Sequence, residues 1–272
     1  MMDTFNRKAQ IGSAPGQRNV EASSKLERMA KLVGILTKYG FADLLHRLKD
    51  KINLPAGPVQ CKKKELSDYS LYSRVRMVLE EMGCTYVKLG QLLSTRDDIV
   101  PTGLIRELQQ LQDHVDAVPI DIKALFKDEF HVDLAETFSS WDEAPFAAAS
   151  MSQVYRATMK AGNRKIAIKV KRPEIDRQVQ TDLAILKEIS NALGSRIDFL
   201  EDLNLPSFIG SFEYSNRQEL SFTHERINLM RFAANFSGSE EVYAIQCFDN
   251  LSNDDILSTE LIDGGCIKID DQ

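Results

Sequence analysis

Two strand-like runs separated by a short turn constrain the fold of this chain most strongly. Residues 165–170, K-I-A-I-K-V, alternate apolar and polar side chains and are rich in β-branched residues, which is typical of a half-buried strand. A second such run, 152–159, precedes it, and the turn-forming residues 161–163, A-G-N, lie between the two. The sequence therefore predicts an antiparallel hairpin that carries Lys169 on its second strand.

A run of very small side chains comes just before this hairpin. The backbone of Ala147, Ala148, Ala149 and Ser150 could lie close against a ligand, and an isolated strand lysine such as Lys169 suits a phosphate. In protein kinases a glycine-rich loop covers the nucleotide phosphates, and a lysine two strands later holds them. The same order here predicts nucleotide binding, with alanines in place of the glycines. The alternative is an ordinary alanine-rich corner of an α/β protein.

Composition and cysteine usage bound the class of protein. The 272 residues, 43% hydrophobic and 27% charged, predict a soluble globular chain of one large or two ordinary domains. The sequence contains no run of eighteen apolar residues, so we predict no transmembrane helix within it. The cysteines have neither C-x-x-C spacing nor companion histidines, so we expect no zinc site, no other metal ligands, no disulfide framework and a reducing, cytoplasmic compartment. They are Cys61, Cys84, Cys247 and Cys266.

Charge is distributed unevenly along the chain. Up to Lys64 there are thirteen basic and five acidic residues, a balance of +8, which leaves −14 for the rest of a chain whose net charge is −6. A basic end on an acidic body predicts contact with an anionic surface, and a solvated helix face is the alternative. Because no aromatic platform accompanies the cations, we favour peripheral contact with a membrane and expect no nucleic acid partner.

Helical patterns fill the first half of the chain. Residues 1–20 resemble a disordered tail more than a transit peptide. From Glu21 to Lys51 apolar residues recur at helical spacing with a break near Gly40, which predicts two amphipathic helices. Another helix is expected from an N-cap at Ser67 to Gly83, after an exposed linker.

The next stretch is unusually polar for a core helix. Residues 86–98, Y-V-K-L-G-Q-L-L-S-T-R-D-D, combine leucines with a lysine, a glutamine, an arginine and two aspartates. Pro101 then opens a further helix over 104–111. The polar residues predict a functional helix, and a purely structural role is the alternative.

Taken together, the motifs resemble those of the UbiB/AarF-type atypical kinases. They are K-L-G-Q at 88–91, L-S-T-R-D-D at 93–98, L-Q-Q-L-Q-D at 108–113, A-A-A-S at 147–150, S-Q-V-Y at 152–155 and I-A-I-K-V-K-R-P at 166–173. The resemblance extends over about 25–263. It implies an α+β fold, with a kinase-like N-lobe of antiparallel sheet and C helix at 141–272, preceded by a helical extension at 21–140.

The resemblance also assigns roles to two acids. A helix follows over 174–193, and Pro206 begins another that we expect to run to about Asn235. Residues 219–228 resemble the E-x-D-Y-x-x-E-A-x-N segment of the family's C helix, with departures at Ser221, Phe222 and Arg226. By this match Glu225 pairs with Lys169, and Glu219 faces the K-x-G-Q helix. Six positions apart on one helix, the acids would point about 240° apart. Two unrelated surface acids are the alternative.

The remaining sequence predicts the end of the lobe. Strands over 242–248 and 256–261 would complete a five-stranded sheet, and 260–265 resembles the kinase hinge. The chain contains no H-x-D-x-x-x-x-N or D-F-G motif. The resemblance places the catalytic and magnesium-binding residues in a C-lobe after Gln272, so we expect a fragment or a divergent remnant without efficient catalysis.

The function implied by the resemblance is ATP-dependent. The family acts as an ATPase or a kinase of small molecules, supporting the biosynthesis of isoprenoid quinones such as ubiquinone, or of other lipids, at a membrane. ATP or ADP would contact Lys169 and the alanine loop. Lys88, Gly90, Gln91 and Glu219 would control access of a lipid or quinone-precursor substrate. A non-catalytic nucleotide- or lipid-binding accessory module is the alternative.

Overall fold

The computed structural model describes residues 15–49, 51–55, 68–111, 116–193 and 204–262, with side chains from residue 25 onward. The chain forms two compact units. One comprises Met1–Leu111 with Arg177–Phe212, and the other comprises Gln112–Asp176 with Glu213–Gln272. The first unit is helical, and the second contains the sheet.

The helical unit begins with α1 (Pro15–Lys38) and α2 (Ala42–Lys49). The predicted break between them is confirmed at Gly40, whose φ of 78° favours glycine. The apolar residues that recur along α1 form part of the buried core, namely Met29, Leu32, Val33, Ile35 and Leu36. Helix α1 already begins at Pro15, inside the stretch predicted to be disordered.

Three short helices follow, α3 (Leu71–Met82), α4 (Cys84–Ser94) and α5 (Thr102–Leu108). Helix α3 starts three residues later than predicted, because the hydroxyl of Ser70 accepts a hydrogen bond from the backbone of Ser73 and forms the N-cap. Gly83 ends α3 as predicted, with a φ of 97° that lets the chain turn directly into α4. The proposed cap Ser67 lies outside the described residues.

The sheet of the second unit has the strand order β1-β3-β4-β5, and β2 pairs with β3. All pairings are antiparallel. The strands are β1 (Phe138–Trp141), β2 (Ala147–Ala148), β3 (Ser152–Met159), β4 (Lys165–Lys171) and β5 (Ile256–Glu260). The predicted hairpin is confirmed as β3 and β4, and their turn contains Gly162 with a φ of 74°.

One face of the sheet is covered by two helices that the sequence pattern does not single out, α6 (Ile122–Phe130) and α7 (Leu134–Thr137). Alternate residues of the strands, among them Tyr155, Ile166 and Ile168, are fully buried in one cluster with Phe126. Side chains alternate between the two faces of a strand, so the residues between these point to the other face.

Two predicted elements are wrong in detail. The helix expected over 206–235 is two helices, α9 (Leu205–Leu220) and α10 (Phe222–Asn235), separated by an extended Ser221. Residues 242–248 form no strand. They reach the sheet through a bridge between Cys247 and Thr259 and through hydrogen bonds near it. The remaining long helix is α8 (Ile175–Leu193), as predicted.

Several predicted features can be placed only in part. The linker is described only over 51–55, and the hinge-like segment only to residue 262. Within the described part of the chain, no helix is long and apolar enough to cross a bilayer, and no cluster of three or more metal-binding side chains occurs. Cys84 and Cys247 are free thiols.

Candidate functional site

A lysine and a glutamate from distant parts of the sequence meet in the sheet-containing unit. The ammonium of Lys169 donates to both carboxylate oxygens of Glu225, with Nζ at 2.7 Å from Oε2 and 3.1 Å from Oε1. Their side chains are 32% and 38% exposed, so the pair is half-buried and open to a ligand on one side. The structure thus brings together the two residues that the motifs pair.

The position of Lys169 follows from the sheet register. Lys169 lies opposite Val154 on β3 and Leu257 on β5, and Ala167 lies opposite Arg156 and Thr259. Directly opposite residues share a face, so these two rows form the face that α6 does not cover. Ala167 is half-buried and has only a methyl side chain. This face could therefore accept a flat group beside the ammonium of Lys169.

Glu225 belongs to the first turn of α10. A carboxylate near a helix N-terminus is favoured by the partial positive charge of the free backbone N–H groups. Phe222, one residue after the N-cap, is buried, and its ring centroid lies 4.9 Å from the Lys169 ammonium. The lysine is therefore held between an aromatic ring and a carboxylate on the same helix turn.

The alanine loop is bonded to its surroundings at its tip. Ala147 and Ala148 form β2, and the backbone N–H of Ala149 donates to the carbonyl of Ser152 at 2.8 Å, closing a tight turn. The guanidinium of Arg172 donates to the carbonyls of Ala149 and Asp116, each at 2.8 Å. Arg172 follows Lys169 by three residues, so one strand end positions both the lysine and the loop.

A second motif residue supports the same segment. Gln153 of β3 is fully buried, and its side-chain amide donates to the Val118 carbonyl at 2.9 Å and accepts from the Val118 N–H at 2.5 Å. This pairing reproduces the two hydrogen bonds that a neighbouring strand would make. Gln153 and Arg172 therefore hold the segment around 116–118 beside the loop.

The K-x-G-Q residues lie on α4 in the helical unit. A Cβ atom on Gly90 would collide with the side chain of Leu111 and would lie 2.9 Å from that of Leu79, so glycine lets α4 approach its neighbours closely. The amide of Gln91 donates to the Leu111 carbonyl at 3.4 Å, and Lys88 is half-buried. Gly90 thus has a packing role and Gln91 a hydrogen bond within the helical unit, and the gating role of the motif stays a prediction.

Glu219 and Glu225 line one open groove of about 640 Å³ between α9 and α10. The break at Ser221 places them on different helices, so the predicted 240° separation around a single helix is wrong. Glu219 is exposed at the end of α9. Its predicted interaction with the K-x-G-Q helix stays a prediction.

A buried ion pair in the helical unit escaped the sequence analysis. Asp182 of α8 is fully buried, and its carboxylate accepts from the guanidinium of Arg28 at 2.6 and 2.9 Å and from the hydroxyl of Thr85 at 2.8 Å. Burial alone would lower the pKa of Arg28, but Asp182 outweighs it and raises that pKa. The available signal was an aspartate inside the apolar pattern of α8.

A five-stranded antiparallel sheet, whose lysine is paired with a glutamate on the adjoining helix and whose small-residue loop precedes the hairpin, defines a protein-kinase-like N-lobe. The family model described as "ABC1 atypical kinase-like domain" matches residues 110–272, more than half of the chain. The chain belongs to this family of atypical kinases, and its relatives are of the UbiB type.

Those relatives carry the name "Probable protein kinase UbiB". The protein of Aliivibrio fischeri (strain ATCC 700601 / ES114) is 30% identical over 247 residues, and that of Vibrio cholerae serotype O1 (strain M66-2) is 28% identical over 246 residues. Both alignments cover 89% of this chain and 45% of the relative. This chain therefore spans less than half the length of the curated relatives it matches.

A solved structure is also similar. It is the complex of Rv3197 with erythromycin from Mycobacterium tuberculosis, with a TM-score of 0.45 and 21% identity. The alignment covers 69% of this chain and 47% of that one.

Proposed function

We propose that this chain supplies the nucleotide-holding N-lobe of a UbiB-type atypical kinase or ATPase. The observation that carries the proposal is the pair between Lys169 and Glu225, with Nζ at 2.7 Å from Oε2. In kinases this pair fixes the lysine where it meets the phosphates. The acid–base and magnesium-binding residues of kinase chemistry belong to a C-lobe. Turnover is therefore proposed for a protein that contains both lobes.

The residues present fit a nucleoside di- or triphosphate such as ADP or ATP. Lys169 offers a charged donor that is held in place but remains about one-third exposed. The alanine loop lies one strand away from that donor, since Ala147 is opposite Val154 and Val154 is opposite Lys169, and Arg172 fixes the tip of the loop. The bound nucleotide supplies the phosphoryl group. The protein's part is to bind its phosphates, orient them and neutralise their charge.

Nucleotide affinity of the purified chain tests this proposal. We expect Lys169→Ala to weaken the binding of ADP and ATP, measured by calorimetry, by about tenfold or more, because a hydrogen bond to a charged group is lost. Glu225→Gln should weaken binding less, since the ammonium remains but is less firmly oriented.

Lys127→Ala is the matched control for charge. Lys127 is exposed on α6, which covers the opposite face of the sheet, so its removal should leave affinity unchanged. Undiminished binding by the Lys169→Ala variant, with its fold verified by circular dichroism, would refute the proposed role of Lys169.

A non-catalytic nucleotide-binding module is the second candidate. It rests on the same pair between Lys169 and Glu225, because nucleotide binding needs only the groups of this lobe, whereas turnover also needs the catalytic-loop and D-F-G residues of kinase chemistry. Nucleotide binding without phosphate release by any protein that contains this chain would support this candidate. A coding sequence that continues into both motifs, with magnesium-dependent phosphate release, would support the kinase or ATPase.

We further propose that the protein acts in the synthesis of isoprenoid quinones such as ubiquinone, or of other lipids, at a membrane surface that it contacts peripherally. The support is the family of the chain and its basic N-terminal end. Some of that positive charge is used internally, since Lys25, Arg28 and Lys38 pair with acids of the helical unit. Contact with anionic lipid would therefore depend on the other basic residues of this end, and binding to vesicles of defined charge tests it.

A further inference from the structure

The first turn of α10 is bonded to the loop before β5. The hydroxyl of Ser221 donates to Asp254 Oδ1 at 2.7 Å and accepts from the backbone N–H of His224 at 3.4 Å. The same carboxylate oxygen accepts from the N–H of Thr223 at 3.4 Å, and the Asp254 carbonyl accepts from that of Phe222 at 3.4 Å. Asp254 therefore caps α10 from a position 33 residues away in sequence.

The other carboxylate oxygen of Asp254 faces β4, the strand that carries both Lys169 and Lys171. Lys171 of β4 is nearly buried, and its ammonium lies 3.4 Å from Asp254, 3.0 Å from Asp255 and 3.2 Å from Asp176. The Phe222 ring centroid lies 5.9 Å from the Lys171 ammonium. The bonds thus form a closed path from β4, through Asp254 and the start of α10, back to β4 at Lys169.

The charge of Asp254 is compatible with this arrangement. Burial would raise the pKa of its carboxyl group, but the Ser221 hydroxyl and the Lys171 ammonium outweigh burial and hold that pKa below its usual value. The carboxylate is therefore ionised at neutral pH and can accept from several donors at once.

We propose that Ser221, Asp254 and Lys171 form a clamp, meaning a hydrogen-bonded and ion-paired set that fixes the start of α10. The clamp holds Glu225 where it reaches Lys169, and it thereby increases the affinity of the site for nucleotide. These are positioning residues, and the inference rests on the proposed nucleotide function. It explains why serine suits position 221, where the family motif has an aspartate. A carboxylate there would face the Asp254 carboxylate, and the repulsion would separate α10 from β4.

Two alanine variants at adjacent positions test the clamp. Asp254→Ala removes the bonds to Ser221, Thr223 and Lys171, and we expect the dissociation constant for ADP to rise about fivefold to tenfold. Asp255→Ala also removes an ion pair of Lys171, but it leaves the bonds between the Asp254 side chain and α10 intact. It should therefore change the dissociation constant for ADP less than about twofold. Equal effects of the two variants would overturn the inference.

A second pair at residue 221 keeps the test independent of that comparison. Ser221→Ala should weaken ADP binding, and Ser221→Thr should restore it, because threonine keeps the hydroxyl. If Asp254→Ala fails to fold, this pair decides the question. Failure of threonine to restore affinity would count against the clamp.

A double-mutant cycle separates positioning from general stabilisation. In the background of Glu225→Gln, Asp254→Ala should weaken ADP binding no further, because the clamp acts through Glu225. Additive losses would indicate a general loss of structure and would overturn the role. If Lys169→Ala also leaves binding unchanged, the proposed function itself fails. Loss of binding in Lys169→Ala with none in Asp254→Ala contradicts the clamp alone.

Discussion

A single buried carboxylate shows how strongly one residue can depend on another. Asp182 is fully buried, and its two oxygens accept three hydrogen bonds from Arg28 and Thr85. An ionised group in such a place is tolerated only when it is paired, because water no longer solvates its charge. The pair joins α1 to α8, so it fixes two long helices of the helical unit.

We predict that Asp182→Ala lowers the free energy of unfolding by about 3–5 kcal/mol, because it leaves the Arg28 guanidinium without its counter-ion. Lys25→Ala is the matched control. It breaks an ion pair between the same two helices, but the Lys25 and Glu188 side chains are 42% and 33% exposed, so the loss should stay below about 1 kcal/mol. Urea unfolding followed by circular dichroism measures both, and similar losses would contradict the prediction.

Gly90 of the K-x-G-Q motif offers a second prediction. In Gly90→Ala the new methyl group would collide with the side chains of Leu111 and Leu79, so we expect a loss of about 1–3 kcal/mol from the free energy of unfolding. A Cβ atom on Gly34, inside α1, would have nothing within 4 Å, so Gly34→Ala should stabilise by up to about 1 kcal/mol. Thermal unfolding of the two variants compares them. A Gly90→Ala variant as stable as wild type would show that close packing does not require glycine at this position.

Pairs of interacting residues could be predicted from the sequence where both residues belong to a motif, and not elsewhere. Lys169 and Glu225 lie 56 positions apart, yet the motif order identifies both. Arg28 and Asp182 lie 154 positions apart with no motif around them, so the apolar pattern of α8 shows an odd aspartate without its partner. Local periodicity gives a residue's face and burial, but it does not give long-range partners.

At the scale of elements, α9 and α10 show how a distant residue can interrupt a regular pattern. No glycine or proline lies between residues 211 and 235, so the sequence reads as one continuous helix. Ser221 is instead extended, with φ −91° and ψ 104°, since its hydroxyl caps α10 and bonds Asp254. Serine competes with helical hydrogen bonding in this way, but the sequence alone does not say when that competition succeeds.

Helices α3 and α5 are joined by an ion pair whose strength depends on pH. Glu107 accepts from Arg76 Nε at 3.0 Å and from the hydroxyl of Ser73 at 2.9 Å. These two donors lower the pKa of the Glu107 carboxyl below its usual value. The bonds flank α4, so they help to position the helix that carries the K-x-G-Q motif.

We predict that Glu107→Gln destabilises the protein at neutral pH and less so in acid. A lowered pKa means that the stabilisation is present above the unfolded-state pKa of about 4.3 and is lost as pH falls through the folded-state value. The difference between wild type and variant in urea unfolding should therefore shrink from about pH 5 downward. Glu80→Gln is the control, because Glu80 pairs with the same arginine but is 39% exposed, against 22% for Glu107. A difference that does not change with pH would contradict the assignment.

At the scale of the whole molecule, the α+β class and the kinase-like sheet could be predicted from the sequence. Their predictability comes from the hairpin, whose period-two pattern fixes its register and therefore the face of Lys169. Helix α8 follows β4 directly, yet from Arg177 it belongs to the helical unit. Within that unit, ion pairs join α8 to α1, between Lys25 and Glu188 and between Arg28 and Asp182, and the local sequence pattern does not reveal these long-range partners.

The uneven charge of the molecule leads to the last prediction. The segment up to Lys64 carries +8 and ends in three successive lysines, Lys62, Lys63 and Lys64. Each lysine near an anionic surface contributes about 1 kcal/mol to binding, and the attraction falls off within a Debye length. We predict flotation with vesicles that contain phosphatidylglycerol, loss of flotation near 1 M salt, and none with neutral vesicles.

Replacing these three lysines by glutamine should reduce partitioning on the order of 100-fold. The matched control replaces Lys123, Lys127 and Lys160, which lie in the sheet-containing unit and carry the same total charge. If the basic end contacts the membrane, the control triple variant should float like wild type, because its three lysines lie outside that end. Equal losses of flotation in both triple variants would mean that total net charge, and not the position of the lysines, determines binding. Flotation that does not respond to salt or to anionic lipid would exclude electrostatic membrane contact by this end of the chain.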